Sequence, residues 1–366
     1  MTRYLEAPID RVEAEAFRIP TDTPEADGTF AWTSTTLVVV EVYAAGHLGL
    51  GYTYGASAGA ELVRDVLAPV VVGEDAFSPP ACWNGMVRAV RNLGRPGVAA
   101  TAISAVDVAL WDLKARLLDV PLVRLFGGVR EAVDAYGSGG FTSYSVSRLQ
   151  EQLAGWAAQG FGRVKLKVDA DLPATLTRVR AARDAVGKQV ELFIDANGAC
   201  TRTGALAMAD AVAPFGVTWF EEPVSSDDIA GLRLVRDRAP AGMAIAAGEY
   251  AWDLPAFARL VNGGAVDVLQ ADATRCGGFT PFFRAAALAE AAHLPLSAHT
   301  APSLHLAACC AVPPAVHVEY FFDHARIEQL LFDGAPVPAR GMLRPDLSRP
   351  GLGLIFKRPD AARYAA

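Results

Sequence analysis

Two lysines two residues apart, Lys165 and Lys167, lie in Arg163-Val164-Lys165-Leu166-Lys167-Val168, where apolar and charged residues alternate. Alternation at period two reads as a short strand, and residues two apart on a strand share a face. The two ammonium groups therefore emerge side by side. Each opposes its neighbour's charge, which lowers at least one pKa and lets a neutral lysine act as a base. A basic edge strand that discourages sheet-to-sheet pairing is the plainer alternative. Downstream, strand-like stretches end in turn on Asp195, Glu221, Glu249, Asp272, His299 and Glu319, at gaps of 26, 28, 23, 27 and 20 residues. One such residue could merely cap the following helix, but one per strand at the same end points to a shared site.

Three carboxylates, Asp195, Glu221 and Glu249, repel one another unless a cation neutralises them. An all-oxygen set with room for water favours a hard ion, Mg²⁺, over zinc. Asn197 could add a neutral oxygen or orient a substrate. Glu222 should point away from its neighbour Glu221. His299 is the second candidate base, because Asp272 on the adjacent strand could accept from its Nδ1–H and raise the basicity of Nε2. His47, His293, His305, His317 and His324 read as structural.

The elements that must position these groups divide the chain. Strands over 34–44 and 48–54 flank a Gly46-His47 turn, and helices follow over 58–72, 80–90 and 98–118, the last with Ile103, Val106, Leu110, Leu113 and Leu117 on one stripe. Residues 20–31, rich in Pro, Asp, Thr and Gly, read as a flexible polar loop serving as a lid. From residue 132 onward, eight strands alternate with helices at roughly 25–30-residue spacing, which means parallel pairing and a closed (β/α)-barrel. An open doubly wound sheet is the rival, for which Gly137-Ser138-Gly139-Gly140 is a weak phosphate turn. In a barrel every C-terminal strand end opens on one face. Lys167 and His299, from the second and seventh strands, then flank the axis from opposite sides.

Composition agrees with a folded, soluble protein. Of the 366 residues 52% are apolar and 20% charged, and the formal charge of −7 offers nothing to nucleic acid or anionic membrane. Five cysteines without CxxC spacing fit a reduced cytoplasmic interior, and residues 1–20 show no signal-peptide pattern. No apolar run reaches membrane-spanning length.

These stretches, with Ile194-Asp195-Ala196-Asn197-Gly198, Phe220-Glu221-Glu222-Pro223, Gly248-Glu249 and Asp272-Ala273-Thr274-Arg275-Cys276-Gly277-Gly278, make the chain resemble the enolase superfamily in its mandelate racemase branch. The resemblance implies a capping α+β domain (1–128), a modified (β/α)₇β barrel (129–325) and a C-terminal segment returning to the cap (326–366). It implies Mg²⁺ on Asp195, Glu221 and Glu249, with Lys167 and the His299–Asp272 dyad as acid/base groups. Lys165 and Glu319 would hold the substrate carboxylate. Residues 20–31 and 51–59, Tyr54 among them, would close over the substrate, in a homo-oligomer whose neighbouring subunit helps shape the cap. The implied step removes the proton α to a carboxylate through an enediolate. The polar lid (Thr21, Asp22, Thr23, Glu25, Asp27, Thr29) favours a hydroxylated acid and its dehydration to a 2-keto-3-deoxy acid, although Phe30, Trp32 and Tyr54 could supply an apolar wall. Racemisation or epimerisation of an α-hydroxy acid is the runner-up, followed by sugar-lactone cycloisomerisation. A metal-dependent acid-binding barrel without turnover is the non-enzymatic alternative.

Overall fold

The computed structural model describes residues 6–366, so the first five residues of the 1–20 stretch lie outside it. The chain opens with an antiparallel sheet of β1 (Arg11–Ala26), β2 (Ala31–Ala44) and β3 (His47–Tyr54). Pairing of Ala44 with His47 leaves Ala45-Gly46 as the two-residue turn, with φ of 49° and 76°; both residues at positive φ is the hairpin geometry that matches strand twist. Both faces of β2 are covered. Leu37 and Val39 join the core shared with the barrel, while Val38, Val40 and Val42 pack with Ile103, Val106, Leu110 and Leu113 of helix Val98–Leu117. That helix lies directly on β3. A Cβ at Gly51 would sit 2.1 Å from the Ala105 carbonyl, so only glycine permits the approach. The helical stretch after β3 runs Ala58–Leu62, Val63–Leu67 and Ala68–Val71, with a π turn in the middle segment. Pro69, which has no N–H to donate, lies just beyond that turn.

The polar stretch 20–31 departs from the expected loop. Pairing of β1 with β2 continues to Pro20–Ser34, shifts register, and resumes at Glu25–Trp32 and Ala26–Ala31, leaving only residues 27–30 as a tip. Partners distant in sequence hold this arm. The Thr142 N–H donates to the Ala26 carbonyl and the Ser143 hydroxyl to the Pro24 carbonyl, both at 2.8 Å, and Arg326 reaches the Pro20 carbonyl.

Eight parallel strands form the barrel: β4 (Val133–Gly139), β5 (Arg163–Lys167), β6 (Glu191–Asp195), β7 (Val217–Glu221), β8 (Ala244–Ala247), β9 (Val268–Ala271), β10 (Leu296–Ala298) and β11 (Ala315–Phe321). They pair in chain order, and β11 closes on β4 through Val318–Ala135 to Phe321–Ser138. The glycines of β4 are strand residues packed under Trp156 and Gln152, not a phosphate turn. Tyr136, Phe193, Trp219 and Val268 fill the interior below the site. After the barrel the chain runs back to the cap, where Phe332–Asp333 pairs with Ile355–Phe356 and the Ala366 N–H reaches the Ala16 carbonyl. Among the described residues no helix is long and apolar enough to cross a membrane, and all five cysteines are free and buried.

Candidate active site

Parallel register brings the first four groups together. Lys167 stands beside Asp195, and Asp195 beside Glu221, on neighbouring strands. Glu249 follows β8 after Gly248, whose φ of 138° and 2.1 Å approach to the Gln270 carbonyl admit no side chain. Asp272 and His299 come directly after β9 and β10, and Glu319 lies within β11, two residues before its end.

Ligand oxygens of Asp195, Glu221 and Glu249 all fall within 4.8 Å of one another, and all three residues are buried. On one flank the Lys167 ammonium pairs with Asp195. On the other, His299 Nε2 lies 3.3 Å from Glu249 Oε2 while its Nδ1 is 2.7 Å from Asp272 Oδ2. Asp272 Oδ1 accepts from the Thr274 N–H and hydroxyl, both at 2.7 Å, so the carboxylate is fixed at both oxygens. Lys167 and His299 thus approach the triad from different members of it.

Lys165 is fully buried against the triad and Glu319, its ammonium 2.6 Å from Glu221 Oε1, 2.8 Å from Glu319 Oε1 and 3.4 Å from Asp195 Oδ2. Glu319 is equally buried, accepting from the Ser138 hydroxyl and the Thr300 N–H. In front of the site Lys167, Asn197, Glu249, His299 and Tyr54 share a cavity of about 400 Å³. The expected sign of the lysine shifts reverses. Burial alone would lower both, but Glu221 and Glu319 around Lys165, and Asp195 beside Lys167, outweigh burial and hold both above the ordinary lysine range. Two ammonium groups side by side lower each other only when no anion stands closer.

The carboxylates show the complementary strain. Burial and the charge of Asp195 push Glu221 well above the usual range. Against the same burial, the two lysines hold Asp195 down, and His299 and Arg275 hold Glu249 down. Five buried carboxylates (Asp195, Glu221, Glu249, Asp272, Glu319) face three cationic side chains (Lys165, Lys167, Arg275). Glu222, buried nearby, is pushed well up by burial and by Glu249. The Oδ1 of Asn197 is buried with no protein partner, as a spare oxygen beside such an ion would be. The all-oxygen ligand set suits Mg²⁺ at the triad.

Several contributors had no role in the sequence reading. Arg275 bridges Glu249 (3.2 Å) and Asp272 (3.6 Å). The Trp219 indole donates to Glu221 Oε2 at 2.9 Å, a contact foreshadowed by the two-residue spacing. His317, expected to lack a partner, meets the Ser297 hydroxyl at 2.9 Å. His305 is structural, its Nε2 accepting from the Ala273 N–H. His324, also expected to be structural, lines the cavity.

Comparison with known proteins places the chain. Residues 148–361 match the family model described as enolase C-terminal domain-like, and residues 14–127 that of the mandelate racemase/muconate lactonizing enzyme N-terminal domain. A 3,6-anhydro-alpha-L-galactonate cycloisomerase of Streptomyces coelicolor is 37% identical over 369 residues, covering 98% of this chain and 99% of the relative. The crystal structure of a mandelate racemase/muconate lactonizing enzyme-like protein from Rubrobacter xylanophilus superimposes with a TM-score of 0.96 at 55% identity, over 98% of this chain and 100% of that one. L-Talarate dehydratase from Polaromonas sp. JS666, solved with Mg and L-glucarate, gives 0.89 at 32% identity over 98% of each chain. The chain belongs to the enolase superfamily, in its mandelate racemase/muconate lactonizing enzyme branch.

Proposed function

We propose that the protein removes the proton α to the carboxylate of a polyhydroxylated acid and expels the β-oxygen, dehydrating an acid sugar to a 2-keto-3-deoxy acid. The observation that carries this reading is the placement of Lys167 and the His299–Asp272 dyad on separate flanks of one buried carboxylate triad, inside a cavity with a polar cap wall. Mg²⁺ held by Asp195, Glu221 and Glu249 would supply the positive charge that makes the α-proton removable. Lys167 or His299 takes that proton, and the other gives one to the departing hydroxyl, which leaves as water. The enol that remains becomes the keto acid by taking a proton at the former β-carbon. Lys165 and Glu319, paired at 2.8 Å beside the triad, hold the substrate carboxylate, and Asp272 holds His299 with its proton on Nδ1.

A second reading is favoured by the full-length similarity to a cycloisomerase. If the β-oxygen belongs to a ring, the same two groups open the ring and the product is an isomer. The five free, buried thiols suit a reducing cytoplasm, and we take the working assembly to be a homo-oligomer. The test is incubation of the Mg²⁺-loaded protein with a sugar-acid library in D₂O. Keto acid with loss of water supports dehydration, and keto acid without loss of water, heavier only by the deuterium taken at the former β-carbon, supports ring opening. Deuterium at the α-carbon without keto acid means racemisation, and no reaction with any acid refutes the proposal.

A further inference from the structure

The cap half of the cavity contains a histidine that the chemistry above leaves unused. His324 belongs to helix Phe322–Leu331, immediately after the last barrel strand. It is only 8% exposed, and its ring stacks on Tyr54 with centroids 3.5 Å apart and planes 12° apart, edge-on to Phe321. The ring is therefore fixed, yet Nδ1 is buried with no hydrogen-bond partner in the protein. A buried polar nitrogen left unpaired is costly, and a group lining a substrate cavity regains that cost when the ligand supplies the partner. Burial, then the charge of His299, pulls the imidazole well below its ordinary range, so it meets a ligand as a neutral group.

The charge of the cap wall is equally informative. Ser34, Thr36 and Tyr54 add hydroxyls, and Asp27 adds a carboxylate held by the Thr29 and Phe30 amides. Among the described residues, no lysine or arginine lines the cap half. The cations of the cavity, Lys167 and Arg275, are at the barrel end and already paired with Asp195 and with Glu249 and Asp272. A second carboxylate on the substrate would meet a neutral imidazole and an anion. The fold does accept dicarboxylates in a relative solved with L-glucarate, so this choice rests with the cap residues of this chain.

We propose that the cavity selects aldonates, polyhydroxy acids with one carboxylate, over the matching aldarates, and that His324 Nδ1 hydrogen-bonds a hydroxyl at the far end of the aldonate. The inference rests on the acid-sugar reading above and adds the substrate class.

The test is calorimetric titration of Mg²⁺-saturated protein, in a Lys167→Ala background so that no acid is consumed, with a hexonate panel and the corresponding hexarates. The best hexonate is expected to bind about a hundredfold more tightly than its hexarate, the penalty for burying an unpaired carboxylate being discounted for residual solvent. His324→Phe, which keeps the stack on Tyr54 but removes Nδ1, is expected to weaken hexonate binding about tenfold. Hexarates binding as tightly as hexonates, no binding by any hexonate, or an unchanged affinity in His324→Phe would each overturn the proposal. Failure of the functional reading looks different. In that case wild-type protein exchanges no α-proton in D₂O with any acid, while the hexonate preference and its dependence on His324 persist.

Discussion

Asp272→Asn isolates His299 without moving it. In the wild type, Asp272 Oδ1 accepts two hydrogen bonds from Thr274 and Oδ2 faces His299 Nδ1 at 2.7 Å. Both Thr274 groups are donors, so an amide at this position must turn its oxygen toward them and its NH₂ toward the imidazole. Nδ1 then becomes the acceptor, the ring proton moves to Nε2, and the nitrogen facing the cavity can no longer take a proton. Loss of the charge-assisted bond costs about 1.5–3 kcal/mol. Inverting the tautomer adds to this, giving about 3–5 kcal/mol in all, or a fall of roughly 10²- to 10⁴-fold in kcat/KM.

Volume is unchanged and the Thr274 bonds survive, so the melting temperature should remain close to that of the wild type. The assay is keto-acid formation across pH, paired with deuterium incorporation. Exchange through Lys167 should persist in one stereochemical sense while elimination is lost. A variant folded like the wild type that kept more than a third of its kcat/KM would refute the assignment of His299 as a proton carrier.

Three further outcomes follow from the same geometry. Mg²⁺ at a hundredfold excess over its Kd should stabilise the protein by about 2.7 kcal/mol and raise the melting temperature by about 3–4 °C; EDTA should reverse the shift and Glu249→Gln abolish it. Glu25, buried on the arm with the Trp32 indole on Oε2, is pushed up to about 8 by burial and by Asp323. Its folded form therefore holds a proton that the unfolded chain releases near 4.5, so stability should fall as pH rises from about 4.5 to about 8, by on the order of 3–4 kcal/mol, and urea titrations of Glu25→Gln should lack that slope. Gly28→Ala would put a Cβ 2.5 Å from the Ala196 carbonyl and 2.6 Å from that of Val168, lifting the arm's tip off the barrel; KM should rise about tenfold or more with the melting temperature nearly unchanged, and an unchanged KM would show that the tip does not close the site.

Much of the fold was legible because the barrel repeats one physical unit. Each strand is short, apolar and bounded by turn residues, and each ends on a polar group where the chain leaves the sheet. Eight strands alternating with helices are expected from residue 132 onward, and eight are found, β4 to β11. Strand β1 was not visible, because residues 11–26 mix charges with prolines and have weak strand preference. Its pairing depends on β2, whose run from Leu37 to Val42 could pair on either side. The polar arm fails as a loop for the same reason. Backbone groups that look unsatisfied locally find Thr142, Ser143 and Arg326 more than a hundred residues away.

At the site, the types and order of residues could be read, but the fields between them could not. Lys165 and Lys167 are adjacent on a strand, so sequence suggests mutual repulsion. Parallel register instead places a carboxylate strand next to them, with Asp195 directly opposite Lys167, and a charge at hydrogen-bond distance outweighs a like charge two residues along. That register depends on the stagger of a closed barrel, which spacing along the chain does not specify. His324 poses the harder problem. It lies on a helix beyond the last strand, and nothing in its local sequence separates it from a core histidine. Only the cap, folding back so that Tyr54 stacks on its ring, turns it toward the cavity. Catalytic groups that belong to the barrel's repeat are therefore accessible to sequence reasoning, whereas groups that choose the substrate arise where two separately encoded layers meet. The binding step should accordingly be altered most readily by changes in the cap and in helix Phe322–Leu331, with the proton-transfer step left intact.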